Sequence, residues 1–272
     1  MADKIWLGTD GSSPTDFNTA ANWSPSGVPG ASDNVRFTAA YSNNCAGYDA
    51  SGTALADVIV ERGFSGELGS ATADLQLACT YFDFSGEGVS YIDLGSSSVS
   101  PRIKTTAPGA GVGQYGLYLI GTGLSVLSVE GGSVGLAAIH GQASTCTTVR
   151  QLGGDLKVGA ATVTNYEAHG GTAVVACNLT AAKLYGGSLE TAEQMTIGTL
   201  TIENGTCLAS STGTITTANV HGGDLDMSGT GAARTVSTLN LNPGGGIKYD
   251  PASVTISAQA SDAPITISTT GF

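Results

Sequence analysis

Three consecutive stretches in the second half of the chain decide the fold: Ala168-His169-Gly170-Gly171-Thr172-Ala173-Val174-Val175, Leu184-Tyr185-Gly186-Gly187-Ser188-Leu189-Glu190-Thr191 and Ile202-Glu203-Asn204-Gly205-Thr206-Cys207-Leu208-Ala209. In each, a short apolar strand runs into a Gly-Gly or Asn-Gly step and a second short strand leaves it. The same step stands at Gly131-Gly132, Gly153-Gly154, Gly222-Gly223 and Gly244-Gly245, so successive steps lie 16 to 22 residues apart. The residue two past the second Gly is apolar every time: Val134, Leu156, Ala173, Leu189, Cys207, Leu225 and Ile247. The residue before it is polar in Ser133, Asp155, Thr172, Ser188, Thr206 and Asp224. Period-2 alternation locked to a longer repeat is what stacked coils require, each laying one inward residue over the last. Asn at position 204 suits a corner with positive φ, which Asn tolerates better than most side chains.

Coils of this length predict an all-β fold, a right-handed parallel β-helix in which three short strands and their corners make one coil. No strict hexapeptide period is present, which points to the irregular kind. The alternative is an antiparallel β-sandwich, which also spaces its strands regularly. A sandwich has no reason to keep one column apolar through seven units. Looser coils are expected at Val58-Ile59-Val60, Gly66-Glu67-Leu68, Leu75-Gln76-Leu77, Tyr81–Phe84, Tyr91–Leu94 and Leu117–Ile120, with a projecting loop from Thr105 to Gly116. The chain reads as a cap or anchor segment at 1–40, coils over 41–250 and C-terminal strands over 251–272, including Val254-Thr255-Ile256 and Ile265-Thr266-Ile267.

Composition narrows the function. The 272 residues carry 10 Lys+Arg against 22 Asp+Glu, a formal charge of −12, and the cations are scattered from Lys4 to Lys248. Phosphate contacts need clustered cations, so nucleic acid is not an expected partner. Forty glycines with 12% charged and 6% aromatic residues favour strands over helices. The opening Met1–Trp6 lacks the apolar run of a secretory signal and no stretch is apolar enough to span a bilayer, so cytoplasmic synthesis and no membrane contact are expected. Five widely spaced cysteines, Cys45, Cys79, Cys146, Cys177 and Cys207, read as small buried apolar residues.

Residues 1 to 40 differ in texture, with both tryptophans and Pro14, Pro25 and Pro29. The pattern is Trp6-Leu7-Gly8, Asp16-Phe17-Asn18-Thr19-Ala20-Ala21-Asn22-Trp23-Ser24, Gly27-Val28-Pro29 and Asp33-Asn34-Val35-Arg36-Phe37. It resembles a recurrent N-terminal motif of bacterial surface proteins and of structural proteins of tailed bacteriophages, in which it leads into Gly-rich β-helical passages. The resemblance covers about the first 70 residues; it implies a building block of a virion or an outer surface and supplies no catalytic residue. Physically, Trp6, Phe17, Trp23 and Phe37 are suited to roof an open first rung, whose unpaired edge would otherwise template aggregation. The same four residues are the candidate partner-binding anchors.

Catalytic patterns are sparse. Gly111-Val-Gly113-Gln-Tyr-Gly116 leads into strand-like Leu117–Ile120, whereas a dinucleotide site needs a helix N-terminus there. Among the histidines, His140, His169 and His221, the last two share a column three coils apart. At ~4.8 Å per coil that is ~14 Å, too far for one metal. Asp224 and Asp226 lie two apart, and Glu190 falls in the column of Asp226 two coils earlier, ~9.6 Å away, at the outer edge of an inverting carboxylate pair. A sugar cleft also needs aromatic platforms, and beyond residue 134 only Tyr166, Tyr185, Tyr249 and Phe272 are aromatic. The Asn-x-Ser/Thr strings at Asn22, Asn178 and Asn204 would matter only in a secreted eukaryotic protein. No cofactor, metal or catalytic residue is expected. The resulting expectation is a non-enzymatic virion structural protein: a capsid decoration or cementing protein, or a head fibre, contacting the major capsid protein and forming a homotrimer. A tailspike-type polysaccharide-binding or depolymerising protein and a bacterial surface adhesin are the alternatives.

Overall fold

The computed structural model describes residues 1–47, 54–107, 114–138, 143–192, 194–210, 212–229 and 233–261. The chain falls into two compact units, Met1–Cys146 and Thr147–Phe272. Both are parallel β-helices, and a single-turn 3₁₀ segment at Ala20–Asn22 is the only helix among the described residues.

In the second unit each coil is a long strand, a glycine corner and a short strand. The long strands Ala161–Ala168, Leu179–Leu184, Ile197–Ile202, Ile215–Val220, Arg234–Leu241 and Val254–Ser261 form one parallel ladder. The short strands Asp155–Val158, Thr172–Val175, Ser188–Thr191, Thr206–Ala209, Gly223–Met227 and Gly245–Tyr249 form the other. Register runs Leu156, Ala173, Leu189, Cys207, Leu225, Ile247, each directly over the one before, and all are at most 5% exposed. The column read from the sequence is therefore the interior, and coil-to-coil pairing is parallel, which excludes the sandwich.

The expected third side of each coil lies inside the long strand. Leu179, Ala182 and Leu184 are buried, as are Ile197, Leu200 and Ile202, and Ile215, Ala218 and Val220. Inward residues thus follow at i, i+3 and i+5, and the strict alternation of a flat strand breaks once. The ladder omits a pair at that same point, passing from Leu179↔Ile197 to Ala181↔Thr199 and from Ile197↔Ile215 to Thr199↔Thr217. Two outward residues in succession bend the strand there without ending it.

At the glycine corner the two positions have different requirements. The second residue has positive φ: Gly154, Gly171, Gly187, Gly205 and Gly223 at 73°, 80°, 79°, 91° and 75°. The first residue lies against the coil below, where a Cβ on Gly170, Gly186 or Gly222 would stand 2.7 to 2.9 Å from the carbonyl oxygen of Leu152, His169 or Glu203. This corrects the reading of Asn204: the positive φ belongs to Gly205, and the Asn204 side chain instead accepts a hydrogen bond from the Gly205 N–H at 2.8 Å. At the last corner the positive φ moves to Gly244.

The first unit repeats the plan less regularly. Asp3–Trp6 pairs in parallel with Asn34–Phe37, and that strand with Leu55–Val60, followed by Cys79–Phe84, Arg102–Lys104 and Leu124–Gly131. The second ladder joins Leu75–Gln76, Ser90–Asp93, Leu117–Ile120 and Ser133–Leu136. Val134 lies over Leu117, Leu117 over Ser90, Ser90 over Leu68 and Leu68 over Cys45. The expected cap segment enters the ladder itself through Asp3–Trp6 and Asn34–Phe37, and the free edge of the first strand is covered by Trp23–Ser24, paired antiparallel. Of the expected C-terminal strands, Val254–Ser261 continues the parallel ladder, while Ile265–Ile267 lies outside the described residues. The loop expected over Thr105–Gly116 has its centre outside them too; Thr105 is buried, its hydroxyl donating to the Gly86 carbonyl at 2.6 Å.

Leu225→Ala should cost ~2–5 kcal/mol in denaturant unfolding, because neighbouring coils are held by their own ladders and cannot collapse into the cavity. Outward-facing Thr206→Ala should change stability by less than about 0.5 kcal/mol. Equal losses for the two would place the column outside the core.

Candidate functional site

The four aromatic residues singled out at the N-terminus do converge. The rings of Trp6 and Trp23 meet edge-on at 5.1 Å, Phe17 and Trp23 at 4.7 Å, and Phe37 lies 6.1 Å from each indole. Phe64 extends the cluster at 5.5 Å from Phe37. Each indole N–H has a carbonyl acceptor, Asn43 for Trp6 at 3.0 Å and Phe17 for Trp23 at 2.8 Å. All four residues are buried in their own chain. A partner resting on this segment would touch the exposed residues around them, among them Asp10, Ser12, Ser24, Pro25 and Val28.

The acids occupy the outward files of the short-strand ladder. Register carries Glu190 to Leu208 and Leu208 to Asp226, so Glu190 and Asp226 share a file two coils apart with an apolar side chain between them. Asp226 is held by the Ser228 hydroxyl at 2.6 Å, the Ser228 N–H at 2.9 Å and Lys248 Nζ at 3.5 Å. Partial burial pushes its carboxyl up, but these hydrogen bonds and the ammonium outweigh burial and hold it below the usual range. Asp226 is therefore a poor general acid near neutrality. Asp224 lies in the next file, over Thr206 and under Gly246.

His169 and His221 share a file at the residue before the glycine step, as their spacing implies, with Tyr185 and Glu203 in the two coils between. His169 stacks on Tyr185 with ring centres 4.6 Å apart, Lys183 Nζ stands 4.6 Å over the same ring, and Glu203 accepts from His221 Nδ1 at 3.2 Å and Lys183 at 3.5 Å. Each member is engaged by its neighbours, and the two imidazoles do not meet. Among the described residues no group of three or more His, Cys, Asp or Glu is placed to hold a metal; His140 lies outside them. Gly111–Gly113 of the Gly-x-Gly string also lie outside, and Leu117–Ile120 after it is a buried strand.

A feature passed over by a reading centred on the glycine steps lies on the outer face of the long strands. The residues flanking the inward columns are Thr162 and Thr164, Asn178 and Thr180, Thr196 and Gly198, and Thr214 and Thr216. They line a shallow groove of about 580 Å³, with no charged and no aromatic side chain in its lining. A second depression of about 440 Å³ shares Thr162 and Asn178 and reaches Cys177, Gln194 and Met195. The signal available in the sequence was a recurrent hydroxyl-apolar-hydroxyl triplet, Thr162-Val163-Thr164 and Thr214-Ile215-Thr216, degenerate at Asn178 and Gly198. The groove offers hydroxyl and amide hydrogen bonds and methyl surface, and nothing that moves a proton.

No family model matches the chain, and neither a curated protein nor a solved structure matches it.

All five cysteines are buried, and none forms a disulfide. Burial raises the thiols of Cys79 and Cys207 to about 12 and that of Cys177 to about 11. The native protein should leave its five cysteines unalkylated at pH 8 and expose all five in denaturant. An unfolded thiol titrates near ~8.5, so the unfolded state loses these protons first and stability should fall as pH rises from about 8.5 toward 12. Rapid native alkylation would contradict the buried column.

Proposed function

We propose that this chain is a non-enzymatic structural protein of a tailed-bacteriophage virion, a capsid decoration or cementing protein or a head fibre. The observation that carries the reading is the stack of coils: within each unit, coil is hydrogen-bonded to coil along both ladders and buried on a continuous column, with the first edge closed by Trp23–Ser24. Such a framework holds an outer surface in fixed repeat, which is what a component of a particle contributes. The virion context comes from the resemblance of the Trp6 to Phe37 segment to phage and surface proteins. On this reading the exposed residues that surround the buried N-terminal aromatic cluster contact the major capsid protein, and copies of the chain associate with one another.

The hydroxyl-lined groove favours a second reading, a tailspike-type protein holding a neutral polysaccharide along its coils. Hydroxyl and amide groups at regular intervals suit a repeating, uncharged chain.

Mass spectrometry of purified particles with copy-number determination tests the first reading. Hundreds of copies per particle are expected of a capsid component; a handful places the chain in the tail and favours the second reading; absence from particles overturns both.

A further inference from the structure

The first and last strands of the long-strand ladder are finished differently. Along Asp3–Trp6, Trp23–Ser24 runs antiparallel and occupies the outer edge. Val254–Ser261 pairs with Arg234–Leu241 on one side, and among the described residues no strand lies on its other side. An edge strand presents a row of N–H and C=O groups that another strand can pair with, and proteins blunt such edges with charges, prolines or bulges. This one has none: Val-Thr-Ile-Ser-Ala-Gln-Ala-Ser is eight residues long, uncharged and free of proline.

Its inward positions show what kind of partner it fits. Gln259 lies over Leu239 and Ser261 over Leu241, and both are exposed. The apolar column that runs through Leu200, Ala218 and Leu239 therefore stops at this coil. Another coil stacked here would find no core to continue, and the matching N-terminal edge of a second copy is already occupied. Head-to-tail growth of the ladder is closed from both directions. The remaining way for identical chains to pair this edge is isologous, each Val254–Ala260 segment running antiparallel against the same segment of its partner. The two-fold axis then passes near Ala258.

We infer that the outer edge of Val254–Ala260 is a self-association surface that joins two copies of this chain through an antiparallel strand pair. The pairing is two-fold, in place of the trimer expected from the sequence, and it is independent of whether the chain is a particle component. The charge of −12 per chain opposes dimerisation only weakly here, since the paired segment is itself neutral and salt screens the rest.

The full-length purified chain tests this without any particle. Light scattering at micromolar concentration should give twice the monomer mass. Ala258→Lys sets like charges against each other at the axis and should weaken the dimer at least tenfold, with the circular dichroism spectrum unchanged. Ala258→Cys should be captured as a covalent dimer by a short bismaleimide, while Thr206→Cys on the opposite ladder should not; the native cysteines are buried and give little background. A monomeric native chain overturns the inference, as does an oligomer indifferent to Ala258→Lys. If the thiol introduced by Ala258→Cys reacts with no maleimide at all, the inference is overturned as well, because the edge is then covered by the chain's own last residues.

Discussion

Parallel stacking at one strand spacing is the constraint on which the molecule depends. Each coil lies ~4.8 Å above the last, so every inward side chain meets the equivalent side chain of its neighbours and every corner must clear the corner below. The interior answers with small and β-branched residues in files, Ala173 under Leu189 under Cys207, and Ala182 under Leu200 under Ala218, so bulk alternates with its absence. The corners answer with two glycines for two separate reasons. One needs a left-handed backbone, and the other has no room for a Cβ above the carbonyl of the preceding coil.

Where the stack departs from aliphatic files, polar atoms are satisfied within it. Tyr166 is buried, and its hydroxyl donates to Gln151 Oε1 at 2.6 Å, while Gln151 Nε2 donates to the Gly154 and Thr172 carbonyls at 2.9 Å. This small network ties a long strand to the glycine corners of two coils, and removing either partner would strand a buried polar group. The other departure is the aromatic cluster of Trp6, Phe17, Trp23, Phe37 and Phe64. It fills the first coils where no earlier coil exists to cover them, and the loop bearing Phe17 and Trp23 closes the edge with bulk as well as with hydrogen bonds.

The surface follows the same files. Arg150 bonds Glu167 at 3.0 Å, Lys183 reaches Glu203, and Lys248 reaches Asp226, each pair spanning adjacent coils. Such exposed pairs contribute little to stability individually, but they engage most of the chain's few cations and leave its acids in place. The result is an acidic surface crossed by neutral lanes, the threonine-lined groove and the Val254–Ser261 edge, and these uncharged lanes are where another neutral surface can approach.

The repeat of Gly-Gly steps and the apolar residue two positions beyond each determined coil length, inward column and parallel order in the second unit, because a stack forces the same chemistry to recur at the same place. In the first unit the column is equally present, through Leu117, Ser90, Leu68 and Cys45, but the corners there are not Gly-Gly and one inward residue is a serine. The period is therefore not visible until register is known. Sequence also assembled the correct file for Glu190 and Asp226 and for His169 and His221, since spacing in coils is set by the repeat. What stands between them, Leu208 in one file and Tyr185 with Glu203 in the other, and the Ser228 and Lys248 bonds on Asp226, were decided by tertiary structure, because side-chain partners come from neighbouring files that a linear period does not align. The same holds for the glycine corner, where composition signals a tight turn but only the stacked backbone separates the position that needs positive φ from the one that needs space.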